Sequence, residues 1–427
     1  MLKKIQQDFS YYSHEFKDNY RKGVHRLRTI LASKAQAQAF VSNAGGVSVV
    51  LGYDPDAPDK NAQELYALLM ASPYIDDAVQ TFLGSIYEEG AEGPDAMYSD
   101  NARCLEILHD PVMSRAAGAG AISAGKWIAA LAGQSCNSYR DITAVAANSP
   151  AVAAIFRTKT ALDIVKSNQS AWATLVACTD GVLTPAVCDL AGIDPTDYAD
   201  GMTAVAASET AMTAVAASET AMTAVAASET AIQAIAASYN GIAAIYSNAT
   251  ALAKWNAVPS AVSAIAGTSS VAIGKAAVKL AGLQPDNFAD MAAVAASSTA
   301  MAAVAASATA QTALNASTVA RTALKASPLA TEISLVSSDS QYWNNPGTKT
   351  MKGLILATKA GNTDNAFSIT KIDSTSTGAN QNTRNAATSG SSGYLDWYEK
   401  YPNYSWVATS ITFYAYYKTT KIKYIPC

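Results

Sequence analysis

The chain has 427 residues, a formal net charge of −4, and half of its residues hydrophobic, with alanine a large share of that half. This length leaves room for two to four ordinary domains. The charge excludes the strongly basic face that nucleic-acid binding requires, and a core poor in large side chains favours thin, repetitive stacking over one wide globule.

Residues 1–60 read as an N-terminal helical attachment region. Met1 to Phe16 is polar and charged, without the apolar segment of a secretory signal. No run of about 18 apolar residues occurs anywhere, so membrane insertion is not expected. Residues 1–40 predict one or two amphipathic helices. The cluster Lys17, Arg21, Lys22, His25, Arg26 and Arg28, with Asp18 inside it, reads as a solvated helix face or docking surface.

A second helical domain is expected over 61–141, with a helix through Ala62 to Tyr87 that restarts at Ser72-Pro73. Together these two regions hold all three histidines, His14, His25 and His109. Gly120 to Lys126 has the spacing of a phosphate-binding loop. However, Trp127 stands where Ser or Thr must hold magnesium, and no clear strand precedes it, so a glycine-rich helix junction is the better reading. Asp54, Asp56 and Asp59 lack the glycine and closing glutamate of a calcium loop and predict a turn with helix-capping aspartates.

From 142 to 332 the chain is a repeat. Met202 begins MTAVAASETA, which recurs from Met212 and largely again from Met222. Weaker copies of the ten-residue unit start at Ile142, Val152, Leu162 and Trp172, then at Ile232, Ile242, Leu252 and Val262. After one slip in register they resume at Met291, Met301, Gln311 and Arg321. A longer duplication places Leu190 to Ser208 and Leu280 to Ser297 ninety residues apart, with linkers near 190–201 and 280–290. Alanine and methionine favour helix. Ten residues at about 100° each leave an apolar stripe about 80° short of closing, so one continuous helix would not keep a fixed seam. The helix should therefore break in each decad. Ser208, Ser218 and Ser228 are cap types followed by Glu. Ser149-Pro150 and Ser327-Pro328 read as a cap and a first-turn proline, and Pro259 lies beside the same column. A helix of about seven residues and a three-residue return would make one decad one coil of a solenoid. Short helical hairpins of twenty residues are the other arrangement. Asp194, Asp197 and Asp200, in the first linker, read as caps.

From 333 to 427 alanine falls and Ser, Thr, Asn, Gly and aromatics rise. Gly353 to Thr358, Ala366 to Ile372 and Ser405 to Tyr417 carry strand-forming runs, and a β-sandwich fits. The fold class expected is a mainly α repeat, a solenoid of short helices, ending in a β-sandwich-like domain. In the 413–417 run one alternating set must face the core. Tyr394, Trp397, Tyr398, Tyr401, Tyr404 and Trp406 lie in a polar loop setting and are the candidate ligand contacts, since such rings stack on sugar faces.

Cys104, Cys136, Cys178, Cys188 and Cys427 include no CxxC pair and predict reduced thiols. No GxSxG and no His-x-x-x-His pair occurs. No enzyme, metal or cofactor is expected.

Tandem copies of A-M-x-A-V-x-A-S-x-T, as at Ala211 to Thr220 and Ala300 to Thr309, resemble the alanine-rich repeats of tailed-bacteriophage fibre and appendage proteins. The resemblance covers Ile142 to Ser334. It implies a virion location after assembly in the host cytoplasm, an N-terminal attachment to tail or collar proteins, a distal tip and a homotrimer. The expected function is a structural tail fibre whose tip meets a host glycan or outer-membrane protein. The alternative is an architectural appendage, such as a collar whisker, head fibre or baseplate connector, that binds other virion proteins.

Overall fold

The computed structural model describes residues 2–17, 20–52, 59–87, 98, 100–335, 347–359, 367–373, 375–376, 395–396, 407–415 and 420–427. The chain is mostly helical with a small C-terminal antiparallel sheet. It divides into two compact units, Met1–Gly201 with Thr223–Ser228, and Met202–Met222 with Glu229–Cys427.

The first unit opens with three helices, where one or two were predicted: Leu2–Lys17, Tyr20–Ala32 and Lys34–Val41. The extra break falls at Ser33, which is extended (φ −105°, ψ 117°). Val24, Leu27 and Ile30 are buried at helical spacing, while Lys22, His25, Arg26 and Arg28 are exposed. Lys22, His25, Arg26 and Arg28 are thus the wet side of an amphipathic helix, with exposed ion pairs Arg26–Glu15 (3.7 Å) and Arg28–Glu64 (3.6 Å). Such pairs add little stability. Phe16, Leu27, Phe40, Val47, Leu65, Leu69, Val79 and Phe82 form one core with the helices Ala44–Leu51, Lys60–Met70 and Ile75–Tyr87. The restart at Ser72 is present, and its hydroxyl accepts from Tyr74 N at 3.1 Å.

In the decads the helix does break, but more tightly than the sequence suggested. Glu209–Ala217, Glu219–Ala227 and Glu229–Ala237 are nine-residue helices. Ser208, before the first of them, is extended (φ −85°, ψ 120°) and accepts from Ala211 N. The return is one residue where three were expected, because a single extended cap suffices to turn the chain. Met202, Met212, Met222, Ile232 and Ile242 are buried, as are Val205, Val215, Val225, Ile235 and Ile245. The alanine preceding each large residue (Ala211, Ala221, Ala231, Ala251, Ala261) is fully buried. Each buried Val, Ile or Met side chain contributes about 1.5–3 kcal/mol; the alanines let helices approach closely.

Within the second unit several of these helices pack on the third one after them. Met202–Ala207 meets Glu229–Ala237, Glu209–Ala217 meets Tyr239–Ser247, and Glu229–Ala237 meets Pro259–Ala266. Tyr239–Ser247 meets Ser270–Leu280, which meets Ala308–Ala316. The first unit repeats the rule, with Ile142–Ala146 on Gln169–Val176 and Ser149–Arg157 on Asp180–Ala191. Corner residues tie these layers together. Ser238 Oγ donates to Ala206 O (2.6 Å), Thr268 Oγ1 to Ala236 O (2.5 Å) and Ser327 Oγ to Ala295 O (2.5 Å), each 32 residues back. A hydroxyl can accept from its own helix and donate to the neighbouring layer, which a carboxylate cannot do.

Two proline readings change. Asn148, not Ser149, caps the helix containing Pro150. Ser327-Pro328 starts no helix: Ser327 accepts from Leu329 N in a turn that leads into the sheet. Once Ser327 donates to Ala295 O, the chain leaves the helical layer instead of restarting in it.

The linker motif occurs three times. LAGQSCNSYRDI (131–142) aligns with LAGLQPDNFADM (280–291) and, with one residue more, with LAGIDPTDYADGM (190–202). Each follows a helix of 11 or 12 residues, namely Ala121–Leu131, Asp180–Ala191 and Ser270–Leu280. Each ends in a left-handed glycine, Gly133 (φ 75°), Gly192 (φ 72°) and Gly282 (φ 79°). Each closes with the same bond from the next N–H to a carbonyl five residues back, Gln134 N to Ala129 O, Ile193 N to Cys188 O and Leu283 N to Val278 O. That is a Schellman termination. Six residues before the leucine, the first and last copies carry Gly-Lys, and the returning loop lies against the glycine. A Cβ on Gly125 would meet the Asp141 carbonyl carbon at 2.1 Å, and one on Gly274 would meet Met291 N at 2.5 Å. The middle copy has Thr184 there and one added residue, Gly201, which adopts φ 79° beside Asp180.

Among the described residues of the tip the strands form one sheet, where a two-layer sandwich was expected. Strands β1 (Thr331–Leu335), β2 (Gly347–Lys359), β3 (Phe367–Ile372), β4 (Thr375–Ser376), β5 (Leu395–Asp396), β6 (Val407–Ala415) and β7 (Thr420–Pro426) form one antiparallel sheet. Its order is β1-β7-β2-β6-β3-β4, with β5 also on β2. Bulges in β2, between Thr350 and Gly353 and between Ile355 and Ala357, let it pair with β6, β7 and β5 along its 13 residues. One long central strand therefore joins pieces that a sandwich would divide between two sheets. Leu354, Ile355, Leu356 and Ala357 are all buried. The helix Thr318–Lys325 packs on β2, and Cys427 Sγ lies 3.7 Å from Met301 O. Of the 411–415 run, Ile411 and Phe413 face inward.

Candidate functional site

The candidate contacts Tyr394, Trp397, Tyr398, Tyr401, Tyr404 and Trp406 lie outside the described residues. What is described beside them is the frame. Leu395–Asp396 pairs with Thr358 and Ala357, and Val407 begins β6. Asp373, left-handed at φ 52°, locks the β3–β4 turn onto β6. Its Oδ1 accepts from Thr409 N (2.7 Å), Thr409 Oγ1 (2.6 Å) and Ser410 N (2.8 Å). Burial raises its pKa, but these bonds outweigh it and hold the carboxyl below its ordinary range.

The phosphate-loop look-alike is a helix start with its own anion. The carboxylate of Asp76 accepts from Ala121 N (3.0 Å, Oδ2), Ile122 N (2.9 Å, Oδ1) and Ser123 N (3.4 Å, Oδ1). A Cβ on Gly120 would lie 2.1 Å from Asp76 Oδ1, so the glycine admits the carboxylate. The N–H groups that would cradle a phosphate are occupied from within the protein. Burial pushes the Asp76 pKa up, against the three bonds that favour its charge.

Asp59 caps Lys60–Met70, accepting from Asn61 N and Ala62 N; Asp54 and Asp56 lie outside the described residues. Asp194 accepts from Thr196 N (2.9 Å) and Thr196 Oγ1 (2.7 Å), bonds that hold its pKa below the ordinary range. The five cysteines are free thiols. Cys104 and Cys136 are fully buried, and burial followed by the neighbouring Cys136 pushes the Cys104 thiol far up. Such thiols are inert at neutral pH.

A feature that sequence reading missed is a groove in the second unit, of about 580 Å³. It crosses three stacked helices, Glu209–Ala217, Tyr239–Ser247 and Ser270–Leu280, and ends at the loop Gly282 to Pro285. Ala216, Ala217, Ala243 and Ala244 line it, with Thr213, Asn240, Ser247, Asn248 and Gln284 as polar members. Lys279 reaches Glu209 Oε2 at 2.5 Å. Lys275 pairs with Asp286 at 2.9 Å, and both ammonium groups lie over the Tyr239 ring, at 5.6 and 5.9 Å. Asn240 donates to Ala207 O (2.7 Å), while its Oδ1 is buried with no partner among the described residues. Only the packing of every third helix brings these decads together, so no local motif announces the groove.

Comparison with protein-family models finds no match, and comparison with curated proteins finds none either.

Proposed function

We propose that this chain is a structural, non-enzymatic component of a tailed-bacteriophage virion: a fibre in which short helices form a solenoid with three helices per coil, ending in a β tip that attaches to the host surface. The observation that carries the reading is the packing of decad helices on the third helix after them, as Glu209–Ala217 packs on Tyr239–Ser247 and that on Ser270–Leu280. In such an arrangement every layer contacts mainly its neighbours, so length can grow without a larger core. The corner hydroxyls that donate 32 residues back supply the register between layers. Two further features agree. The phosphate-loop spacing is occupied by Asp76, and Asp59 and Asp194 serve as caps. The polar segment from Tyr394 to Trp406 carries the aromatic residues suited to a glycan or an outer-membrane protein, and a homotrimer with an N-terminal attachment to tail or collar proteins completes the proposal.

The test uses the full chain. Antibodies against it should decorate intact phage particles at an appendage, and the purified protein should adsorb saturably to host cells, with adsorption weakened by Trp397→Ala or Trp406→Ala. Decoration without adsorption would replace the receptor role by an architectural one. Failure to find the chain in virions would overturn the proposal.

A further inference from the structure

The groove across helices Glu209–Ala217, Tyr239–Ser247 and Ser270–Leu280 is not needed for a purely architectural repeat. The equivalent position ninety residues earlier carries a different side chain. Arg157, ninety residues before Ser247, reaches Asp189, ninety residues before Lys279: its guanidinium lies 3.1 Å from Asp189 Oδ2 and donates to Asp189 O at 3.3 Å. In the second unit a small Ser247 stands in place of Arg157, and Lys279 turns away to Glu209. The corner is left open to solvent.

We propose that this groove is a binding site for a neutral saccharide, separate from the tip aromatics. Its volume of about 580 Å³ falls in the span of small-molecule sites, about 300–1,000 Å³. The two charged residues that line it, Lys279 and Glu209, pair with each other, so neither an anion nor a cation gains a net field. The side chains of Ser247 and Gln284 line the groove without a hydrogen bond to other described residues. Hydroxyl and carboxamide groups each donate and accept, which matches vicinal sugar hydroxyls. The alanine floor Ala216, Ala217, Ala243 and Ala244 offers an apolar surface to the C–H face of a ring. A flexible charged peptide would have to break the Glu209–Lys279 pair to gain comparable contacts.

The experiment is saturation-transfer NMR on the full chain with neutral mono- and disaccharides of glucose, galactose and N-acetylglucosamine. Transfer should be seen with the wild-type chain and with Trp406→Ala. It should vanish in Ser247→Arg, which puts a long charged side chain into the groove. Gln284→Ala, at an exposed loop position that does not disturb the helices, should weaken binding by about tenfold, the loss of one good hydrogen bond. An unchanged melting temperature in both variants establishes that folding is intact. Transfer that survives Ser247→Arg, transfer that is lost only in Trp406→Ala, or no transfer from any neutral sugar would each overturn the proposal. The last two results would leave the virion role standing, so the two readings fail separately.

Discussion

Replacing Gly274 by alanine sets two physical effects against each other. Gly274 lies inside the helix Ser270–Leu280, where alanine is favoured over glycine by about 1 kcal/mol. Propensity alone therefore predicts stabilisation. The structure predicts the reverse. The added Cβ would meet Met291 N at 2.5 Å, Asp290 C at 2.7 Å and Met291 Cα at 2.8 Å, all of them backbone atoms. Reaching ordinary contact requires the loop to retreat by roughly 1 Å, and overpacking of this kind costs about 1–3 kcal/mol. Backbone cannot rotate aside as a side chain does, so the upper end applies and the net loss is about 2 kcal/mol. Urea unfolding of the full chain, with amide exchange at Met291 to Val294 as the local readout, measures it. Gly181→Ala is the control: that helical position has nothing within 4 Å of its added Cβ, and stability should hold or rise. The middle linker copy supplies a second arm. It carries Thr184 at the equivalent position and the extra Gly201, so Gly274→Thr should be partly rescued by one glycine inserted between Asp290 and Met291. Stabilisation by Gly274→Ala, matching the control, would refute the reasoning.

Three further outcomes follow from the described contacts. Ser238→Ala should cost about 1–2 kcal/mol by removing both a cap and the bond to Ala206 O; Ser238→Asp should fail to rescue it, because a carboxylate caps but cannot donate, and rescue seen by thermal melting would disprove the dual role. Asp76→Ala should cost about 1–2 kcal/mol by uncapping Ala121–Leu131. Because burial raises the folded pKa of Asp76, the native state holds its proton to higher pH than the unfolded chain, so wild-type stability relative to Asp76→Asn should fall as pH rises from the ordinary carboxylate range through that raised value; a difference that grows with pH would contradict the shift. A thiol reagent at neutral pH should leave Cys104, Cys136 and Cys188 unmodified in the native protein and label all five cysteines in denaturant, since burial also pushes Cys188 up to about 11; rapid native labelling of Cys104 would show that its layer opens.

The sequence by itself determined the parts that depend on neighbours along the chain. Ten-residue periodicity located the helix breaks, because serine at a fixed column caps the next turn wherever it falls. The Met and Val columns marked the buried stripe from Met202 to Ile245, because only one face of a nine-residue helix can pack inward; Val262, in the same Met column, is exposed. The spacing of Asp59 and Asp194 marked them as caps. Two linkers were legible from LAG and the aspartates after them; the third, at 131–142, lacks the proline and was hidden until its left-handed glycine matched the others. Strand-forming runs placed β2, β3 and β6, whereas β1 and β7 pair with each other across most of the tip, Thr331 with Tyr424, a partnership no local run announces. The tertiary structure alone decided which helix meets which. A decad fixes its own break but not its partner, so one coil per decad, helical hairpins and packing on the third helix share the same local signals. The groove, the closure of the helix start at Ala121 by Asp76 across 45 residues, and the joining of the strands into a single sheet are all long-range consequences. They arise where side chains of one layer meet backbone of another, and no window along the chain contains both.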